Sequence, residues 1–442
     1  MTGKEYLEKI NSPEAEKQFS LLYGEPSSAK ERYSGLLKTM IEDSPAAFPK
    51  KDFPETGGDL RIFSVPGRSE LGGNHTDHNQ GKVLAASIQL DAAAVVAPRN
   101  DNQVFFRSPG HPDVKIDISD LSQRKDETGT TEALIRGIAA EMTSQGTPVG
   151  GFTANGSNLV LTGSGLSSSA AIEVLLAKIF DNIYCGGKRS ALDLAKIGQK
   201  AENIYFGKPS GLMDQTASAS GGAVSIDFGD KENPKVRGVA FNPEAAGYAL
   251  CVVATGGSHA NLVDDYAAIP NEMKAAASFL GKSVLREADE DIFMSKITEI
   301  RKAAGDRAVL RAIHFYNENK RVDAMLTALD KMNVESNRKQ GMADFLNLVN
   351  ESGASSWQLL QNIYTTKLPE EQGISLALAL TKNFLGRDGA CRVHGGGFAG
   401  TIQSYIPMER IKEYKNLMEG IFGEGAFTVL RIRPIGALEL SL

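Results

Sequence analysis

The segment VPGRSELGGNHTDHNQGKVL, residues 65–84, joins two apolar runs, LRIFS before it and AASIQLDAAAVVA after it. Both flanks read as strands, so the connection between them is dense in glycine, histidine, arginine and aspartate. Loops usually expose such groups singly. A loop that gathers them between apolar strands, with glycines admitting a close approach of the backbone, reads as a binding loop. Asn74 lies in its middle.

A chain of 442 residues exceeds one ordinary core and suits two domains. The polar bend GDKENPKVRG at 229–238 is the candidate boundary, which divides the chain into 1–236 and 237–442. Forty-eight Lys and Arg against 54 Asp and Glu give a net charge of −6, with no dense basic run. That balance argues against nucleic acid or an anionic membrane as partner. Cys185, Cys251 and Cys391 are scattered and in no metal-ligand spacing, as expected of buried, reduced thiols. The first twenty residues are charged and lack the apolar stretch of a secretory signal, and no run of 18 apolar residues occurs. A soluble, cytoplasmic protein is expected, as a monomer or weak homo-oligomer.

The chain reads as a polar helical region to about residue 48, then strands from about 60, with a hairpin over 103–118 and a helix over 131–145. Strands follow at FTANGSNLVLTG, GGAVSIDFG and GYALCVVAT; residues 261–383 are mostly helix, and the last sixty alternate strand, helix and strand. ALDLAKIGQKAENIYFG reads as one amphipathic helix stopped by Gly207 and Pro209.

In LVLTGSGLSSSAAIEVLLAKIF a strand runs into Gly163-Ser164-Gly165-Leu166, then Ser167-Ser168-Ser169, then a helix. Glycines let consecutive N–H groups converge on one point, and the helix dipole turns positive potential toward it, which suits phosphate oxygens. Serine hydroxyls and Glu173 can then hold a magnesium ion bridging the phosphates. No lysine follows the glycines, so this is not the GxxxxGK[ST] loop. A serine-capped helix with no ligand fits the same letters. Asp214 follows a turn set by Pro209 and Gly211 and precedes small residues; it suits either a proton acceptor for a substrate hydroxyl or a solvated cap. Gly395-Gly396-Gly397 before a strand suits either a close-approach surface or a flexible hairpin.

Together these stretches resemble the GHMP kinases, ATP-dependent small-molecule kinases, and within them the galactokinases. Residues 66–81 are similar to the galactokinase signature P-G-R-V-N-L-I-G-E-H-T-D-Y-N-x-G. TGSGLSSSAAIEV is similar to the ATP-binding motif, GLMDQTASASGG to the segment with the catalytic aspartate, and HGGGFAGT to the third motif. TGGSHANLVDDYAAIPNEMKAA resembles the stretch whose tyrosine touches the sugar, here Tyr266. The order matches from about residue 30 onward. The resemblance implies an α+β fold of two domains, an N-terminal ribosomal-protein-S5-like one and a C-terminal ferredoxin-like one, with the active site in the cleft between them. It implies transfer of the ATP γ-phosphoryl group to the anomeric hydroxyl of galactose, with ATP and Mg2+ required. Asp214 would be the base and Arg68 would keep it ionised. Residues 163–169 would cradle the phosphates, Ser168 and Glu173 would contact magnesium, and His75, Asp77 and Tyr266 would bind the sugar.

Three departures stand out. Asn74 replaces the signature glutamate that meets the sugar's C6 hydroxyl, so a C6-modified hexose such as galacturonate is the alternative substrate. His78 for the usual tyrosine leans the same way. SGASSWQLLQN (352–362), holding the only tryptophan, Trp357, replaces a stretch like S-H-x-S-L-R-D-x-Y; core packing is expected of that tryptophan. Pro270-Asn271 stands where basic residues are usual. A non-catalytic sugar- and ATP-responsive regulator is the rival class, and the complete GLSSSAA with Asp214 speaks for the enzyme. Arg68, His75, Thr76, Asp77 and Asn79 argue against other GHMP substrates such as mevalonate. Of the remaining histidines (111, 259, 314 and 394) surface or structural roles are expected, with His394 notable beside the glycine triplet.

Overall fold

The computed structural model describes residues 1–42, 59–161, 165–257 and 262–442. In chain order its strands are β1 (Arg61–Gly72), β2 (Lys82–Pro98), β3 (Gln103–Arg107), β4 (Val114–Asp117), β5 (Phe152–Asn158), β6 (Ala223–Asp227), β7 (Lys235–Val239), β8 (Tyr248–Ala254), β9 (Ala390–His394), β10 (Thr401–Pro407), β11 (Phe427–Leu430) and β12 (Leu438–Leu440). The helices that matter below are α1 (Gly3–Lys9), α2 (Pro13–Tyr23), α3 (Pro26–Glu42), α4 (Thr131–Ser144), α5 (Ser168–Tyr184), α6 (Ala191–Lys200), α7 (Met213–Ser220), α8 (Val263–Phe279), α9 (Glu290–Ser295), α10 (Ile297–Ala304), α11 (Asp306–Met332), α12 (Arg338–Ser355), α13 (Gly373–Leu385) and α14 (Ile411–Phe422).

The mixed α+β content matches the expected class. One sheet runs β12-β1-β2-β5-β3-β4, with β6 on β2 and β7 on β6; the other runs β11-β8-β10-β9. β1 and β2 are the long antiparallel pair that flanks the polar segment, and the expected hairpin at 103–118 is β3 and β4. β1 is buried along nearly its whole length because both of its faces are covered. Ile62, with Ala93 and Val95 of β2, packs under Phe19, Tyr33 and Leu37 of the N-terminal helices. Phe63 and Val65 join the larger core with α4 to α7. The second sheet has its own core against α13 and α14, centred on Val253, Ile402 and Tyr414.

Some local expectations are corrected. The amphipathic run over 191–206 is an α-helix only to Lys200; Ala201–Phe206 continues as a π-turn, and Gly207, at φ 83°, ends it. Cys251 and Cys391 are buried thiols as expected, whereas Cys185 at the end of α5 is half-buried. Trp357 packs against the core of the second sheet as expected, though only half-buried, on a π-turn after α12 and under the Lys382 ammonium. Pro270 lies inside α8. Among the described residues no helix is long and apolar enough to cross a membrane.

Asp91 of β2 ties the N-terminal helices to this frame. Its buried carboxylate accepts from Arg32 Nη1 at 2.5 Å, Tyr23 Oη at 2.7 Å, Arg433 Nη1 at 3.2 Å and the Ser64 hydroxyl. Burial pushes this carboxyl up, but the two guanidiniums outweigh it and hold it below its ordinary value. Its contribution is therefore present above the ordinary carboxylate range and is lost as pH falls through the lower folded value. Asp91→Ala leaves two buried guanidiniums unneutralised and is expected to cost about 3–5 kcal/mol, read as a lower melting temperature at neutral pH.

Candidate functional site

The antiparallel register of β1 and β2 slips twice, between Pro66 and Arg68 and between Glu70 and Gly72. Such bulges turn side chains out of the regular alternation, and the two bracket Arg68, Ser69 and Glu70. The Arg68 guanidinium is nearly buried and grips Asp214, in the first turn of α7, by a fork: Nε to Oδ1 and Nη2 to Oδ2, each 2.8 Å. Nη1 donates to the Gly165 carbonyl, and Arg68 N donates to Leu166 O at 3.0 Å. One side chain thus joins β1, α7 and the turn before α5. Burial raises the Asp214 carboxyl, but Arg68, Ser167 and Lys208 overcome it and keep the group below its ordinary value. The carboxylate is ionised and still about a third exposed.

The polar segment wraps around this pair. His75 sits at φ 58° and its Nε2 lies 3.0 Å from the Gly396 carbonyl. Burial lowers the imidazole to about 4, so the ring is neutral; Nε2 carries the proton and Nδ1 remains an acceptor. Asp77 opens a short 3-10 turn, its carboxylate against the Cα of Gly211, where a Cβ would collide with Oδ2. A side chain there, three residues before Asp214, would have to displace the Asp77 carboxylate. Tyr266 on α8 donates to Gly397 O at 2.9 Å and packs edge-on against Phe398. Thr76 and Asn79 hold the loop instead: Thr76 Oγ1 bonds Gly73 O and Lys82 O, and Asn79 bonds Met273 Sδ and the Leu285 N–H. Arg68, His75, Asp77, Asp214 and Tyr266 line one cavity of about 350 Å³ with the Gly395-Gly396 backbone.

A second cavity of about 520 Å³ opens on the other side of Arg68 and Asp214. Gly165, Ser167, Ser168 and Ser169 form its polar end, and Phe106, Val114, Leu134, Ile172 and Phe206 its apolar walls. Gly163 and Ser164 lie outside the described residues, as does His259. The serines do not cap α5: Ser167 takes a left-handed N-cap conformation, φ 62°, and its hydroxyl donates to Asp214 rather than capping the first turn. Leu166 is buried beneath the turn. Ser168 Oγ accepts from Asn158 at 2.7 Å. Glu173 is fully buried between α5, α6 and α7, where one Gln215 amide nitrogen bridges it (2.8 Å) and Glu202 (3.1 Å). Burial and the neighbouring Glu202 push its carboxyl up to about 8, and its Oε1 has no hydrogen-bond partner.

Asn74 is wholly buried with both ends of its amide engaged. Nδ2 donates to Glu70 Oε1 at 3.1 Å and Gly395 O at 2.9 Å; Oδ1 accepts from Ser356 Oγ at 3.2 Å and Asn362 Nδ2 at 3.0 Å. Two of the three departures from the signature therefore meet: 352–362 is the polar backing of Asn74, and Asn362 also donates to Gly396 O at 3.2 Å. Behind them His314 bridges Ser355 Oγ and the Asn74 carbonyl, a structural role as expected. His394 is buried, 3.0 Å from Ser69 Oγ and beside Gly165. His111, expected at the surface, is exposed and lines the second cavity.

Sequence reasoning passed over Glu70. It stands where the signature has asparagine, while Asn74 stands where the signature has glutamate, so the two residue types have changed places. The Glu70 carboxylate pairs with the buried Arg392 of β9. The exchange is visible in the letters once both positions are compared with the signature. Its Arg392 partner, over three hundred residues away, is not.

The model for the GHMP kinases N terminal domain matches residues 133–222, and that for the galactokinase galactose-binding signature matches 50–98. The galactokinase of Mannheimia succiniciproducens is 30% identical over 384 residues, 85% of this chain and 93% of its own. That of Streptomyces coelicolor is 29% identical, over 84% and 91%. Among solved structures, Lactococcus lactis galactokinase complexed with galactose aligns with a TM-score of 0.74 at 23% identity, covering 91% of this chain and all of that one. Methanococcus jannaschii mevalonate kinase aligns at 0.59 and 16%, covering 85% and 99%. With motifs, site and relatives in agreement, the chain belongs to the galactokinase family of the GHMP kinases.

Proposed function

We propose that this protein is an ATP-dependent galactokinase that transfers the γ-phosphoryl group to the anomeric hydroxyl of galactose. The observation that carries the reading is the Arg68–Asp214 fork, set where a small polar cavity meets a larger one with an apolar wall and a helix N-terminus. In this reading galactose occupies the first cavity, with Asp77, the Nδ1 of His75 and Tyr266 around its hydroxyls. ATP occupies the second, its phosphates over Gly165–Ser169 and its base against the apolar wall. In this reading the cleft lies between two units; the boundary expected at 236/237 falls within β7, which pairs with β6, and β12 returns to pair with β1. Asp214 takes the proton of the anomeric hydroxyl as that oxygen attacks the γ-phosphorus and the bond to ADP breaks. Arg68 keeps the aspartate ionised and offsets charge on the transferring group.

Ser168 and Glu173 would hold magnesium. Their oxygens suit so hard a cation, and Oε1 of Glu173 is a buried orphan that a cation would satisfy. Among the described residues no three His, Cys, Asp or Glu side chains gather, so phosphates and water would complete the shell. The ion would neutralise phosphate charge.

Galactose is preferred over galacturonate because the acidic side chain on the cavity wall, Glu70, lies 3.1 Å from the Asn74 amide and already takes up the one guanidinium behind it, Arg392. A uronate carboxylate would lie against the Glu70 carboxyl.

Coupled ATP-consumption assays with galactose, galacturonate, N-acetylgalactosamine, glucose and arabinose test the reading. Turnover highest on galactose is expected; turnover highest on galacturonate replaces the substrate, and none on any sugar ends the enzyme reading. Asp214→Asn is expected to lower kcat about 10²–10⁴-fold. Arg68→Met removes the largest of the contacts that oppose the burial of Asp214, leaving Ser167 and Lys208, so the acid limb of the pH–rate profile should move up by about 1–3 pH units. Asn74→Glu would set a carboxylate against Glu70 and the Gly395 carbonyl. It should lower the melting temperature, and adding Glu70→Asn should recover most of the loss.

A further inference from the structure

The two cavities share three charged side chains on their walls: Arg68, Asp214 and Lys208. The first two are already placed in the reaction, and no motif drew notice to the third. Lys208 follows Gly207, which ends the π-turn, and its N–H bonds Glu202 O at 3.1 Å. Its ammonium pairs with Glu202 Oε1 at 2.7 Å, yet the side chain remains 57% exposed while Glu202 is 2% exposed. An ammonium has three donors, and this contact uses one. The loop carrying it is tied down independently: Ser210 bonds Glu202 and Asn203, and Gln199 Nε2 reaches Ser210 O at 3.0 Å. A cation on a braced loop, held by a buried carboxylate and exposed on its other side, thus lines both cavities where they share Arg68 and Asp214.

Resting on the galactokinase reading, we propose that Lys208 is a further catalytic residue, its ammonium donating to the γ-phosphoryl oxygens as the group leaves ADP for the sugar oxygen. It stays protonated throughout: Asp214 receives the hydroxyl proton, the new oxygen–phosphorus bond forms as the bond to the β-phosphate oxygen breaks, and Lys208 only offsets charge. Such a donor acts mainly on kcat, because charge on the moving group and its separation from both oxygens are greatest in transfer. Arg68, nearly buried and spent on Asp214 and Gly165, has little left to follow that motion; Lys208, on a flexible stem, does.

A plainer role is neutralisation of Glu202, and Lys208→Met alone would not separate the two. The test therefore pairs Lys208→Met with Lys208→Met/Glu202→Gln, in which no buried carboxylate is left bare. Expected is a kcat about 100-fold below wild type in both, with KM for galactose little changed and the melting temperature restored in the double variant. Calorimetry with ADP and a non-hydrolysable ATP analogue gives a readout that needs no sugar: the double variant should weaken the analogue several-fold and leave ADP unchanged. A double variant with kcat within threefold of wild type, or one that weakens both nucleotides alike, overturns the proposal. Wild-type enzyme inactive on every sugar overturns the galactokinase reading instead, and the calorimetric comparison still decides Lys208.

Discussion

The fork between Arg68 and Asp214 is the contact on which the site depends. A guanidinium at 5% exposure cannot be left unpaired, since removing either partner strands a buried charge at a cost of several kcal/mol. The pair thus does two jobs with one geometry. It locks β1 to α7 and to the turn before α5, and it sets Asp214 as an ionised carboxylate that accepts from Arg68 and Ser167 while still reaching solvent. Two bulges in β1 bracket Arg68 and Glu70. Between the two slips the pairing is regular, so Arg68 and Glu70 share the cavity face, where Arg68 meets Asp214 and Glu70 meets Arg392.

Behind the cavity lies a second, wholly buried polar layer. Glu70, Asn74, Ser356, Asn362 and Arg392 bond one another or the Gly395-Gly396 backbone. The layer is well but not fully satisfied, since Asn362 Oδ1 and Arg392 Nη1 have no hydrogen-bond partner among the described residues. Its bonds to Gly395 O and Gly396 O brace the glycine triplet, whose carbonyls meet His75 and Tyr266. Departures from the signature that look separate along the chain meet in one packed layer, where Ser356 and Asn362 supply the donors that face the Asn74 amide oxygen.

Much of this was legible in the letters because it is local. Strand-to-strand and strand-to-helix transitions write themselves in apolar periodicity and glycine, so β1, β2, α5 and β10 lie close to where the pattern puts them. Arg68, His75, Asp77, Asp214 and Tyr266 could be nominated because each sits in a motif. What escaped depends on distant partners. No periodicity links Glu70 to Arg392, or Asn74 to Asn362; their meeting follows from β9 and the end of α12 packing behind the loop. The serines of 167–169 look like caps by composition, yet a left-handed residue at the cap position aims Ser167 at Asp214 instead. Lys208 escaped for the opposite reason: an exposed lysine after a glycine is the commonest of surface patterns, and only the cavities give it meaning.

The charges around the transfer point are arranged in depth. Arg68 is rigid, buried and bidentate, suited to hold a carboxylate in one orientation; Lys208 is flexible and half-exposed, suited to meet a group that moves. Beneath them Gln215 holds Glu173 and Glu202 together through a single amide nitrogen, and burial, with the nearby Glu202, raises the Glu173 carboxyl to about 8. The charges therefore run in layers, from the flexible Lys208 ammonium on the cavity wall, through the buried Glu202 it pairs with, to Gln215 and Glu173 beneath.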